Sequence, residues 1–275
     1  MLLADILQAE FWQGEVVGCK ALGGLSGDSY CVTVQHKKSR KQRFLLRLQT
    51  EASQRLGSMR QLEGDILFNL QALPFVPKVF YQGEDFLVLK WISGRVLGKW
   101  HNETLSALAQ RLQSLHHYSV LHGSKLGVLP QLDLIQQIFF LLQQLPAEQQ
   151  GNWLLMLDKL TPFQENEIQV VAHHDLHLQN LVNSQNSGLS IIDWEYAALS
   201  NPALELAFFF ASNNLTEKQQ RYFLAQYLKN NSLISEDRTF TQSIASYFPW
   251  VKLLNQLWLK VQQTTALDTE AGALR

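Results

Sequence analysis

Residues 170–195 constrain this chain more than any other stretch. They read VVAHHDLHLQNLVNSQNSGLSIIDWE. Val170-Val171-Ala172 is too short for a helix and rich in β-branched residues, so it reads as a strand. Leu181-Val182-Asn183, a polar turn over 184–188, and a second apolar run from Leu189 to Ile192 read as a β-hairpin. The far strand of that hairpin returns Asp193-Trp194-Glu195 beside the loop that carries Asp175 and Asn180.

The spacing has a chemical meaning. Asp175 stands five residues ahead of Asn180, and Asp193 comes back from the far strand. Phosphoryl transfer needs a carboxylate near the attacking hydroxyl and oxygen ligands for the Mg²⁺ ions that bridge the phosphates. Asp175 is therefore the candidate catalytic base, and Asn180 and Asp193 are the candidate metal ligands. A surface loop with incidental carboxylates is the weaker reading. His173 reads as a hydrogen-bonded structural residue rather than a second base.

The stretch from His173 to Asn180 fits the kinase catalytic-loop pattern H-x-D-L-x-x-x-N, with Asp193-Trp194-Glu195 where protein kinases carry D-F-G. It resembles most the kinases of small hydroxylated molecules, the choline, aminoglycoside and thiamine kinase superfamily, with their I-D-W-E or I-D-F-E metal motif. Ile191-Ile192-Asp193-Trp194-Glu195-Tyr196-Ala197, then Ala203-Leu204-Glu205-Leu206-Ala207, and Phe248-Pro249-Trp250 with Trp258 after it are similar to bacterial thiamine kinases. The likeness spans nearly the whole chain and is strong from about residue 171 onward. It implies a two-lobed, protein-kinase-like α/β (α+β) fold with a β-rich N-terminal lobe and a mainly helical C-terminal lobe. It also implies ATP and Mg²⁺ as cofactors. Glu205 replaces an aspartate common in the superfamily, which implies a supporting hydrogen-bond role.

The front of the chain fits a nucleotide lobe. Residues 16–22 and 30–34 read as strands around Gly23-Gly24-Leu25-Ser26-Gly27-Asp28-Ser29. Glycines let backbone N–H groups approach phosphates, so Gly24, Ser26 and Gly27 are candidate nucleotide contacts, although the loop departs from G-x-G-x-x-G. Phe44-Leu45-Leu46-Arg47-Leu48 alternates, with Arg47 on the face opposite Phe44, Leu46 and Leu48. Protein kinases have a phosphate-holding lysine here, and arginine brings a permanent, two-pronged donor set. A single helix is expected over 53–73, its apolar stripe at Leu56, Met59, Leu62, Ile66, Leu70 and Leu73, with Glu63 at the stripe's edge reaching Arg47. Residues 79–81 and 86–91 should complete an antiparallel sheet. The segment 88–94 then reads as a hinge between lobes, with Leu89 a candidate backbone contact for adenine. The lobes so expected are 1–91, binding nucleotide, and 92–275, carrying catalysis and substrate.

Beyond Gly94 the periodicity is helical. Leu105, Leu108, Leu112 and Leu115 form one core stripe, Leu132, Ile135, Ile138, Phe139 and Leu142 a second, and Trp153, Leu154 and Leu157 a third. His116, His117 and His122 lack metal-ligand spacing. Helices should resume over 222–228 and 240–261.

Charge and composition narrow the class. A formal net charge of -1 creates no field favouring nucleic acid, and residues 36–43, the strongest basic run, read as a solvated turn. The first residues lack the basic start and apolar core of a signal peptide, and no apolar run approaches the roughly 18 residues of a membrane span. A cytoplasmic protein with no membrane or nucleic-acid partner is expected. The two cysteines, Cys19 and Cys31, are expected as small buried thiols facing each other across the first hairpin.

The acceptor side is read from the last third. It holds Trp194, Tyr196, Phe248, Trp250 and Trp258, and no carboxylate between Arg238 and Val261. A polycationic aminoglycoside would need acids. A thiazolium or quaternary ammonium rests on aromatic faces, at about 0.5–2 kcal/mol per contact. Thiamine is therefore the favoured small-molecule alcohol, ahead of choline or ethanolamine, with Trp194, Glu195 and Trp250 as candidate substrate contacts. An aminoglycoside-type kinase and a non-catalytic pseudokinase are weaker alternatives.

Overall fold

The computed structural model describes residues 3–23, 29–37, 40–126, 129–164 and 168–273. Gly24, Ser26 and Gly27 lie outside these, so the glycine-rich loop has no structural account here. A short helix α1 (Leu3–Leu7) leads into β1 (Glu15–Ala21), β2 (Ser29–Gln35) and β3 (Gln42–Leu48). Helices α2 (Glu51–Arg55) and α3 (Arg60–Asn69) come before β4 (Val79–Gln82) and β5 (Phe86–Lys90). The five strands form one sheet in the order β1-β2-β3-β5-β4, each neighbouring pair antiparallel.

The alternation in β3 sorts its side chains as the sequence implies. Phe44 and Leu46 are buried with Ile6, Trp12, Val32, Val34, Phe86 and Val88 on one face. Leu45 packs on the other face against the main core, and Arg47 points the same way into the cleft. The two thiols are not a facing pair. Cys19 registers with Val32 and Cys31 with Lys20, an offset of one residue that turns them to opposite faces. Cys19 is exposed and Cys31 half-buried, because β1 is an edge strand with its outer surface in solvent.

The expected continuous helix over 53–73 is two helices. Gly57, at φ +83°, lies in the left-handed region between them, which stops α2. Thr50 and Ser53 cap the start of α2 reciprocally. The break turns Met59 out to 49% exposure and aims Ser58 and Arg60 inward.

The helical lobe begins with β6 (Gly94–Val96), followed by α4 (Asn102–Leu121), α5 (Gly123–Leu126), α6 (Leu134–Gln143) and α7 (Ala147–Leu157). The strand β7 (Val170–Ala172), the hairpin β8 (Leu181–Ser184) and β9 (Gly188–Ile191), and β10 (Ala198–Ser200) follow. Helices α8 (Pro202–Ser212), α9 (Glu217–Leu228) and α10 (Asp237–Ala273) close the chain. The α4 stripe Leu105, Leu108, Leu112 and Leu115 is fully buried. The second stripe is rotated: α6 buries Leu134, Ile138, Leu141 and Leu142, while Ile135 and Phe139 are exposed. Asp133 caps that helix through Ile135 and Gln136 N–H. The third stripe is no core stripe. Helix α7 has no buried residue; Trp153 and Leu157 only lean on the core, and Leu154 faces out.

The helix expected over 240–261 is part of the longer α10, which continues through Pro249. Pro249 has no N–H to donate, but Trp250, Val251, Leu253 and Leu254 are all buried there. Tertiary packing overrides the local breaker. Among the described residues no helix is long and apolar enough to cross a membrane.

One large core joins the lobes, with Ile66, Leu67 and Leu70 of α3 and Leu87 and Leu89 of β5 in the same cluster as α4, α8 and α10. Beyond the sheet, β6 pairs with β8, which pairs with β9, and β10 pairs with β7. These short ladders fix the ends of the loop 173–180 and its hairpin.

The glycine break supplies a test. Gly57→Ala puts a Cβ 2.8 Å from Gln137 Nε2 at a φ that L-residues disfavour, so a loss of about 1–2 kcal/mol is expected. Urea denaturation measures it; a stability equal to wild type would contradict the role given to this glycine.

Candidate active site

The loop after β7 is held from beneath. His173 is fully buried; its Nε2–H donates to Ile192 O at 2.9 Å and its Nδ1 accepts the Asp175 N–H at 3.2 Å. Burial lowers its pKa, consistent with a neutral ring that joins loop to hairpin. His174 takes a left-handed φ of 62°, unusual for a non-glycine. Three bonds hold it there: Nδ1–H to Tyr196 O at 3.0 Å, Nε2 with Ser200 Oγ at 2.7 Å, and its N–H to Glu205 Oε2 at 3.0 Å. Burial pushes the His174 pKa down to about 4.

Glu205 comes from α8, whose start is capped by Asn201 and Pro202. It is fully buried, and its Oε1 has no partner among the described residues. Burial pushes its pKa up to about 7.

Above this base the loop presents Asp175. Asn180 Nδ2 donates to Asp175 O at 2.9 Å and to Oδ2 at 3.0 Å, and His177 Nε2 lies 3.4 Å from Oδ2. Burial opposes ionisation of Asp175, but His177, His173 and Asn180 outweigh it and hold the pKa below the usual value. The bond to Asp175 in turn raises the His177 pKa. Because the Asn180 amide nitrogen faces Asp175, its oxygen is left as a ligand atom. Asp193, also at a left-handed φ of 66°, keeps a 36% exposed side chain at the cleft. An amide oxygen and one carboxylate fit Mg²⁺, which keeps waters and phosphate oxygens as its other ligands. Among the described residues no group of three or more His, Cys, Asp or Glu forms a dedicated metal cage.

A buried ionic cluster closes the other side. Arg47 Nη1 donates to Glu63 Oε1 at 2.7 Å and to Asp193 Oδ1 at 2.5 Å, and Nη2 donates to Glu195 Oε2 at 3.0 Å. Burial works against the guanidinium's charge, but Glu63, Asp193 and Glu195 raise its pKa well above normal. Arg47 Nε is buried with no partner among the described residues. Sequence reasoning missed Arg60 and Ser58. Arg60, three residues before Glu63, is 1% exposed. Its Nη1 reaches Glu63 Oε2 and Glu195 Oε2, both at 3.0 Å, and Ser58 Oγ donates to the same Glu195 oxygen at 2.9 Å. The i,i+3 spacing of Arg60 and Glu63 was legible; that it faces inward depends on the break at Gly57.

Arg47, Asp175, Asn180, Asp193 and Glu195 all line one cleft of about 900 Å³. Two expected substrate contacts do not. Trp194 is fully buried, its indole N–H on Ile191 O at 2.9 Å and its ring against His173. Trp250 is 7% exposed, its N–H on Thr161 O at 2.8 Å and its ring against Phe163. The aromatic wall belongs to Tyr196 and Trp258, which face the cleft and are joined by Trp258 Nε1–H to Tyr196 Oη at 3.1 Å. Leu89 is also corrected: β5 is an interior strand, with Leu89 between Leu45 of β3 and Val79 of β4. Its backbone faces sheet neighbours, so any hinge contact falls after Lys90.

Asp175 and Asn180 on one loop, Asp193 beside them, and a buried arginine–glutamate pair between a sheet lobe and a helical lobe are the arrangement a kinase-like phosphotransferase requires. The chain belongs to the phosphotransferase enzyme family, whose model matches residues 19–242. It is 30% identical over 242 residues to thiamine kinases of Escherichia coli O6:K15:H31 and Shigella boydii serotype 4, covering 86% of this chain and 80% of each relative. In fold it is similar to choline kinase LicA from Streptococcus pneumoniae, with a TM-score of 0.68, 18% identity, and coverage of 92% of this chain and 87% of that one. A type I macrolide 2'-phosphotransferase matches with a TM-score of 0.59 and 16% identity, over 96% of this chain and 94% of its own.

Glu205 gives a pH test. Its folded pKa, about 7, lies above the ordinary 4.5, so the folded state holds a proton that the unfolded chain has released between those values. Stability from this group is full below pH 4.5 and is lost as pH rises toward 7. Glu205→Gln should therefore gain stability relative to wild type as pH goes from 5 to 8. Parallel denaturation curves of the two proteins across that range would contradict the assignment.

Proposed function

We propose that this phosphotransferase is a thiamine kinase, transferring the γ-phosphoryl group of ATP to the primary hydroxyl of thiamine and giving thiamine phosphate. The observation that carries the reading is the shared cleft. Asp175, Asn180 and Asp193 meet Arg47 on one side of it, and Tyr196 and Trp258 form an aromatic wall on another. The thiamine kinase relatives support the acceptor. A structure of LicA in complex with AMP supports nucleotide use by this fold.

In this proposal residues 1–91 are the nucleotide-binding lobe and 92–275 the catalytic and substrate-binding lobe. Arg47, backed by Glu63, turns toward the phosphates; its unpartnered Nε–H is a donor in reserve for them. Asn180 and Asp193 would hold Mg²⁺, whose charge would offset that of the phosphates. Asp175 accepts the hydroxyl's hydrogen bond, aims the oxygen in line with the γ-phosphorus, and takes the proton as the new O–P bond forms and ADP leaves. A carboxylate with a depressed pKa is a weak base, so orienting the nucleophile is its larger contribution. The cationic thiazolium rests against Trp258 and Tyr196. The setting that fits this reaction is cytoplasmic.

Asp175→Asn is expected to bind Mg-ATP normally and to lose turnover by about 10²-fold or more. Near-normal turnover in that variant would overturn the mechanism. Choline pairs an alcohol with a cation but has no ring to occupy the aromatic and apolar wall. Thiamine should therefore have the higher kcat/KM, and Trp258→Ala should raise the KM for thiamine with kcat little changed. Choline outperforming thiamine would overturn the acceptor and leave the kinase assignment standing.

A further inference from the structure

The ionic cluster contains two guanidinium groups and three carboxylates, and its wiring is asymmetric. Arg47 touches all three: Glu63, Asp193 and Glu195. Arg60 touches two of the same three, Glu63 and Glu195. If Arg47 is to meet nucleotide phosphates, it must give up some of these bonds, and Asp193 must be freed toward the metal. Glu63 stays with Arg47 as its backing, and the buried carboxylate that Arg47 then leaves is Glu195, which Arg60 also holds. A buried carboxylate stripped of its cation is strongly disfavoured, so a lone arginine would be trapped by it.

We propose that Arg60 is a positioning residue: it holds Glu195, and shares Glu63, so that Arg47 can turn from Glu195 and Asp193 to the phosphates while Glu63 still backs it, and it thereby sets nucleotide affinity. This rests on the phosphate-holding role of Arg47 proposed above. The surroundings of Arg60 suit a fixed post. Its Nε–H donates to Leu48 O at 3.2 Å, its N–H to Gln49 Oε1 at 2.8 Å, and its side chain is fully buried. Ser58 adds a second, neutral donor to Glu195. Gly57, by breaking the helix just ahead, is what aims both Ser58 and Arg60 at the cluster. Glu195 lines the cleft and is anchored there by Arg47, Arg60 and Ser58.

The test is the binding of Mg²⁺ with a non-hydrolysable ATP analogue, measured by calorimetry, for wild type, Arg60→Met, Arg60→Lys, Glu195→Gln and the double variant Arg60→Met/Glu195→Gln. Arg60→Met should raise Kd about tenfold or more, and Arg60→Lys should recover part of the loss. The double variant should bind more tightly than Arg60→Met alone, because one stranded charge is gone; a merely structural arginine would give a double variant no better than the single. An unchanged Kd in folded Arg60→Met, or a double variant no tighter than the single, would overturn the proposal. Should Arg60→Met fail to fold, a double variant that folds and binds supports it, and one that neither folds nor binds while Glu195→Gln does overturns it. A wild-type protein that binds no nucleotide overturns the functional reading itself.

Discussion

Arg47 is the residue on which the rest of the site depends. It stands on the third strand of the sheet, yet its guanidinium bonds Glu63 from the following helix and Asp193 and Glu195 from the catalytic hairpin. A buried cluster of this kind adds little net stability over an apolar core, because desolvation consumes most of the Coulombic gain. Its contribution is specificity: one geometry satisfies two cations and three carboxylates, and that geometry sets α3 and the hairpin against the sheet. The continuous apolar core beneath supplies the stability that the cluster does not.

The loop 173–180 rests on its own layer of supporting bonds. His173, His174 and Glu205 lie under it, two neutral rings and a carboxyl poised near neutrality. Each bonds backbone or a hydroxyl, and together they hold a left-handed residue directly before Asp175. Strain of this kind persists where surrounding bonds over-determine it. The result is an Asp175 carboxylate fixed by Asn180 and His177 at the floor of the cleft.

Much of this was legible in the residues. The loop and the hairpin follow from local patterns: β-branched runs, a polar turn, and the spacing of Asp175, Asn180 and Asp193; the two-lobed fold follows from the family resemblance these residues carry. The alternation around Arg47 gave its face correctly. What could not be read were long-range choices. Gly57 breaks a helix whose apolar stripe looks continuous, and only the packed structure turns Arg60 inward. Trp194 and Trp250 are as aromatic as Trp258, but their indole N–H groups find buried carbonyls at Ile191 and Thr161, whereas Trp258 bonds Tyr196 at the cleft. Composition does not tell a core ring from a cleft ring; register against distant elements decides it.

The central claim is that Arg47 and Glu63 act as one unit in placing the phosphates, and a double-mutant cycle on turnover tests it most directly. With Arg47→Met, Glu63→Gln and the pair combined, either single change should remove most of the unit's effect. The double variant should then be little worse than the worse single variant. Strictly additive losses would mean that the two residues act separately, and would contradict the account.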